Sequence, residues 1–124
     1  MSRRSTPFPH DLEPVLQLRH PVPLRSGELL RLRITTRRQI LTCERCLLHE
    51  AQQEGCGPVP WSGPLRPSFI AVGEAPGPEE AKAGAPFVGR AGKLLRSMMG
   101  AAGVDVGDVG FANVVSCYPS KSDG

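Results

Sequence analysis

The sequence predicts an α/β fold organised around a parallel sheet. Three observations carry that reading. A short apolar run, Phe69-Ile70-Ala71-Val72, stops at Gly73, the pattern of a strand buried in a parallel sheet. An amphipathic stretch follows at residues 90–102, and a second strand candidate runs from Val109 to Val115. Strand, long connection, helix and strand make one βαβ unit. Ligands of such sheets sit beyond the carboxyl ends of the strands. Here those ends are Gly73-Glu74 and Asn113 to Cys117.

Composition sets the scale. A chain of 124 residues allows one small domain. Gly 14 and Pro 13 make up just over a fifth of it, and aromatic residues only 5%. The material for a large core is therefore short. Charge is unevenly placed. Residues 1–40 hold eight Arg and three acids, whereas residues 41–124 are slightly acidic. A basic arm ahead of a near-neutral domain suits nucleic acid, although such runs often mark only a solvated surface. No apolar stretch approaches the ~20 residues of a membrane span, and the start lacks the apolar core of a secretory signal. The expectation is a cytoplasmic monomer. In that compartment four cysteines favour metal or catalytic roles over disulfides.

Each element follows from its own pattern. Residues 1–27 carry Pro7, Pro9, Pro14, Pro21 and Pro23 and read as irregular. Residues 28–41 read as a helix, but Leu29, Leu30, Leu32, Ile34 and Ile40 match no single face. Residues 54–67 are punctuated by Gly and Pro and read as loop. Residues 73–89 read as a second Gly/Pro-rich loop. In 90–102, Leu94, Leu95, Met98, Met99 and Ala102 form one apolar face, and Gly103 is placed to end the helix. The domain division is 1–40, a basic Pro-containing extension, and 41–124, the folded part.

Three clusters carry chemistry. Cys43-Glu44-Arg45-Cys46 is a CxxC pair, open to reading as half a zinc site, half an iron–sulfur site or a redox motif. Cys117 lies just past the second strand, and Cys56 lies in the loop. Next, Gly73-Glu74-Ala75-Pro76-Gly77 follows the first strand, which puts the Glu74 carboxylate at the carboxyl end of the sheet. The plain alternative is an ordinary turn with a solvent-facing Glu. The third is Gly84-Ala85-Pro86-Phe87-Val88-Gly89-Arg90-Ala91-Gly92. Gly89, Arg90 and Gly92 suit a phosphate at a helix N-terminus. Phe87 is either a stacking platform for a base or a loop anchor. Asn113 both donates and accepts hydrogen bonds, as reading a pyrimidine edge requires.

Together these residues resemble the iron–sulfur (family 4 type) uracil-DNA glycosylases. The resemblance runs from about Leu41 to Pro119, through CERCLL, FIAVGEAPGPEE, GAPFVGRAGKLL and ANVVSCYPS. It implies the N-terminal portion of a three-layer αβα fold with a central parallel sheet. It also implies a base-excision-repair enzyme that hydrolyses the N-glycosidic bond of flipped-out uracil in DNA. By the same resemblance Cys43, Cys46 and Cys117 are three of the four thiolate ligands of a [4Fe-4S] cluster; Cys56 is the one further thiol that could be recruited as the fourth, although the family places no ligand there. Glu74 is the catalytic residue, Phe87 stacks on uracil, Asn113 pairs with its edge, and Gly73, Ala75 and Gly77 shape the pocket.

The chain departs from the family in places. A further acidic residue is usual where this chain has Ala81. The family's fourth cluster cysteine and its His-Pro-Ser type motif lie beyond the third cysteine, and neither occurs in these residues. The expectation is therefore the front half of such a domain, with Phe69, Val72, Val114 and Val115 half-covered. The alternatives are a non-catalytic or truncated iron–sulfur DNA-binding relative, and a zinc protein that uses Cys43, Cys46, Cys56 and either Cys117 or His49.

Overall fold

A computed structural model describes residues 24–50, 52 and 55–119. The irregular reading of residues 1–23 and the polar run from Ser120 fall outside them. Helix α1 spans Ser26–Leu41 and α2 spans Leu47–Glu50. Strand β1 is Phe69–Gly73, followed by α3 at Pro78–Ala83 and α4 at Arg90–Ala101. A 3₁₀ turn at Val106–Asp108 leads into β2, Val109–Asn113. The strands pair in parallel, Phe69 beside Val109 and Gly73 beside Asn113.

Strand β2 is the interior strand. One side pairs with β1. On the other, Ser62 and Phe111 exchange backbone hydrogen bonds of 2.9 and 2.8 Å, so the 55–67 loop runs along β2 as a short antiparallel partner. Val109 and Phe111 are accordingly buried. The apolar run of β1 alone suggests a buried strand, which the structure corrects, while the half-cover expected of Phe69 and Val72 in an incomplete sheet is nearer the mark. Phe69, Ile70 and Val72 are each more than 60% exposed, because β1 has a strand on one side only and no described element covers its apolar side chains. Val114 is exposed and Val115 half-buried, in keeping with incomplete cover.

In neither α1 nor α4 is the inward stripe the one that apolar spacing alone would give. In α1 the half-buried positions are Leu29, Arg33, Thr36 and Ile40, a stripe at helical spacing. Two of its four members are polar, which is why apolar periodicity marked no face. Arg33 explains the arrangement. Its guanidinium lies 4.5 Å over the Trp61 ring and donates to the Gly63 carbonyl at 2.7 Å. In α4 the inward stripe is Gly92, Leu95, Arg96 and Met99, while Leu94 and Met98 stand exposed. The helix ends as expected. Gly103 adopts φ +83°, and Val104 and Gly103 donate back to Met99 and Gly100, a Schellman closure.

Residues 73–89 are not all loop. The start and stop signals of α3 are present: Pro78 in the first turn, Glu79 and Glu80 beside it, and Gly84 in a left-handed C-cap. The density of Gly and Pro around them hid a six-residue helix. Its Ala81 is buried, and its carbonyl accepts from Gly57 at 3.4 Å.

Gly63 has φ +124°, and a Cβ there would stand 2.7 Å from both the Gly110 Cα and the Val109 oxygen. Those are backbone atoms of β2 that cannot move aside. Gly63→Ala is expected to lower unfolding stability by more than about 2 kcal/mol, measured by urea denaturation. A change within 0.5 kcal/mol would refute the close-approach argument.

Candidate functional site

A pocket of about 450 Å³ opens at the carboxyl ends of the two strands. Its lining includes Gly73, Glu74, Ala75, Gly77, Phe87, Arg90 and Asn113. The β1–β2 register puts Gly73 and Asn113 on one rung. A Cβ on Gly73 would collide with Asn113 Oδ1 and stand 3.0 Å from Phe87 Cζ. Only a glycine lets the amide and the ring converge there. Pairing continues past the strands, with Val114 donating to Gly73 and Val115 to Glu74, both at 2.9 Å. The Glu74 backbone is thereby fixed while its side chain is exposed.

Among the described residues Phe87 is the one non-glycine with positive φ, at 56°. A left-handed phenylalanine costs about 1–3 kcal/mol and persists only where its surroundings over-determine it. Four contacts do so. Gly92 is buried against the Phe87 backbone, where any Cβ would collide. Arg96 Nε donates to the Phe87 carbonyl at 3.1 Å, and an Arg96 terminal nitrogen to the Pro86 carbonyl at 3.4 Å. The Phe87 ring lies 5.4 Å from Phe111, tilted 50°. The guanidinium in turn stacks 3.8 Å over Phe111. A part-buried hydrogen bond from a charged donor, such as the 3.1 Å one to Phe87, contributes about 1.5–3 kcal/mol, comparable to the strain.

The N-terminus of α4 is already engaged. Glu80 Oε1 accepts the Gly89 N–H at 2.8 Å, a carboxylate at the positive end of a helix. Gly89 and Gly92 are both buried. The close approach that Gly92 permits is between helix and loop. Of the three residues expected to meet a phosphate, Arg90 alone is exposed.

The cysteines form a second site. Cys43, Cys46 and Cys117 line one cavity of about 280 Å³ with Ile40, Leu48 and Val115, and Cys56 is not among its lining residues. Cys117 is buried, Cys43 half-buried and Cys46 exposed. Burial pushes the Cys117 thiol above its ordinary pKa, and the nearby Cys46 and Cys43 sulfurs push it further. A bound cation reverses both effects, because a coordinating thiol is deprotonated. Among the described residues, no three His, Cys, Asp or Glu side chains are grouped to hold a single metal ion.

The sequence model of the uracil DNA glycosylase superfamily matches residues 60–124, which hold both strands, α3 and α4. The chain belongs to that superfamily. Over 83 residues it is 44% identical to a type-4 uracil-DNA glycosylase of Pyrobaculum aerophilum, covering 67% of this chain and 41% of that protein. Similar proteins of the same name occur in Archaeoglobus fulgidus, 42% identical over 68% of this chain and 41% of the relative, and in Thermotoga maritima, 41% identical over 68% and 42%. The chain thus spans about two fifths of the length of the curated relatives it matches. The α/β expectation holds for this superfamily member.

Sequence reasoning singled out Phe87, Asn113, Glu74 and the three cysteines, and missed Arg96, Phe111 and Glu80. Arg96 had a findable signal, since it lies four residues after Gly92 on the same helical face. Two glycines of α4 give opposite expectations for one substitution. Gly92→Ala should lower stability by roughly 2–4 kcal/mol, because backbone stands in the way. Gly100→Ala, with nothing within 4 Å, should raise it by about 0.5–1 kcal/mol. Paired urea denaturation curves check both signs.

Proposed function

We propose that the chain carries the uracil-binding part of a uracil-DNA glycosylase acting in base-excision repair. The observation that carries this reading is the convergence of Phe87 and Asn113 on the pocket beside a Gly73 that has no room for a side chain. A base is read from its face and its edge. Phe87 offers the face a stacking surface. The Asn113 amide donates to one edge atom and accepts from the next, which fits uracil and misfits cytosine. The pocket wall sets the limit on a 5-methyl group, and hence on thymine.

The chemistry follows from that placement. The duplex gives up the nucleotide by flipping it into the pocket. The bond between the sugar and the base breaks, its electron pair leaves with uracil, and the sugar gains oxocarbenium character. Asn113 stabilises the uracil anion through its N–H. Glu74 orders the water that adds to the sugar carbon, or the pocket around it, and the proton that water gives up neutralises the departed uracil anion. Ala75, next to Glu74, supplies no general base. Arg90 meets the DNA phosphates at the mouth of the pocket. Among the described residues no helix is long and apolar enough to cross a membrane, and a cytoplasmic setting suits a DNA substrate.

Cys43, Cys46 and Cys117 are the residues that would hold a [4Fe-4S] cluster. The three thiols line one cavity, and cysteine thiolates are the ligands of iron–sulfur clusters. Bound there, the cluster supplies a structural cross-link between the segment before α2 and the end of β2.

Two measurements test these assignments. Protein with its metal bound should release free uracil from a single-uracil oligonucleotide and bind it more tightly than a thymine control. Phe87→Ala should weaken that preference by about 1–3 kcal/mol, and Asn113→Ala should slow release by about 100- to 1,000-fold. No release by a longer chain that also carries the family's later cysteine and His-Pro-Ser motif, with its cluster intact, would refute the glycosylase reading. Cys43→Ser, Cys46→Ser and Cys117→Ser should each abolish visible absorbance and bound iron and sulfide, whereas Cys56→Ser should leave them in place. Colourless protein with one zinc would overturn the cluster assignment.

A further inference from the structure

We propose that Arg96 is a positioning residue that holds the Phe87 ring in the orientation needed to stack on the base. The proposal rests on the uracil-binding reading above. Phe87 occupies a backbone conformation that a phenylalanine does not choose by itself, at φ 56°. Arg96 makes three contacts on that loop and its support. It donates to the Phe87 carbonyl at 3.1 Å and to the Pro86 carbonyl at 3.4 Å, and its guanidinium carbon lies over the Phe111 ring, 3.8 Å from the centroid. Phe111 is buried in β2, two residues before Asn113 on the same strand. One side chain therefore ties the stacking residue to the strand that carries the pairing residue.

The arrangement needs an arginine. Two carbonyls and an aromatic face are met at once by a planar fork with several N–H donors. A lysine ammonium supplies a point charge with no plane to stack and no fixed spacing between donors. Gly92 completes the clasp one turn earlier on α4, leaving room for the backbone that Arg96 grips. Arg96 is half-buried and faces this loop, so its charge serves the protein interior and not the DNA backbone.

Arg96→Met and Arg96→Lys in the full protein test this. The one-bond Cα–Hα coupling of Phe87 reports the sign of its φ, and a cooperative melt confirms that each variant folds. Both variants are expected to lose the positive φ and to reduce the preference for uracil- over thymine-bearing DNA about tenfold. Affinity for undamaged DNA should stay within twofold. A positive φ kept in both variants overturns the proposal. So does full recovery of uracil preference by lysine, or an equal loss of affinity for undamaged DNA, since either would make Arg96 a simple charge. If Arg96→Met does not fold, the lysine variant decides alone. If the unaltered protein shows no uracil preference, it is the uracil reading that fails. The Phe87 coupling then still decides whether Arg96 sets the loop.

Discussion

Gly73 and Asn113 share the last rung of the β1–β2 ladder, and a parallel pair ends with both carboxyl termini on one side. That register is the constraint on which the rest of the site depends. It places the Glu74 turn, the Phe87 loop and the Asn113 amide around a single opening. Slipped by one residue, the ladder would carry the Asn113 side chain to the opposite face of the sheet. The pairing is reinforced from outside, by the Ser62 bridge on the far edge of β2 and by the Val114 and Val115 hydrogen bonds past its end.

The pocket and the cysteine cavity are joined by a short piece of backbone. Asn113 closes β2, and Cys117 follows four residues later, its neighbour Ser116 accepting from Val59 at 2.7 Å. Whatever the cysteines bind is therefore tied to the strand end that carries the pairing residue. The opposite wall is organised by α4, whose Gly92 and Arg96 grip the Phe87 loop. Strain at Phe87 is thus balanced by contacts from α4, which follows it directly, and from Phe111 of β2 farther along the chain, a common way for a binding site to keep an unfavourable backbone geometry.

Much of this could be read from the chain. The strands, the α4 helix with its Gly103 stop, and the grouping of Glu74, Phe87 and Asn113 at one end of the sheet all followed from local pattern. The burial of β1 and the packing face of α4 did not. Apolar residues at Leu94 and Met98 mark a face that could be buried, but they cannot say which neighbour covers it. The inward face was instead chosen by a glycine and an arginine, residue types that a hydrophobic pattern scores against burial. Likewise α1 is held through Arg33 on Trp61, a contact invisible to apolar periodicity. The α3 helix was hidden because its cap signals sit among loop signals of the same residue types.

By itself the sequence determined the order of strand and helix, the chemistry available at the strand ends and the Cys43–Cys46 pair. Each of these depends on residue type and short-range spacing. The tertiary structure decided the left-handed Phe87, the clasp by Arg96, the engagement of the α4 N-terminus by Glu80 and the exposure of β1. Those depend on which atoms meet across the fold. A missing Cβ at Gly73 or Gly92 acquires its meaning only when the group that fills the space is known.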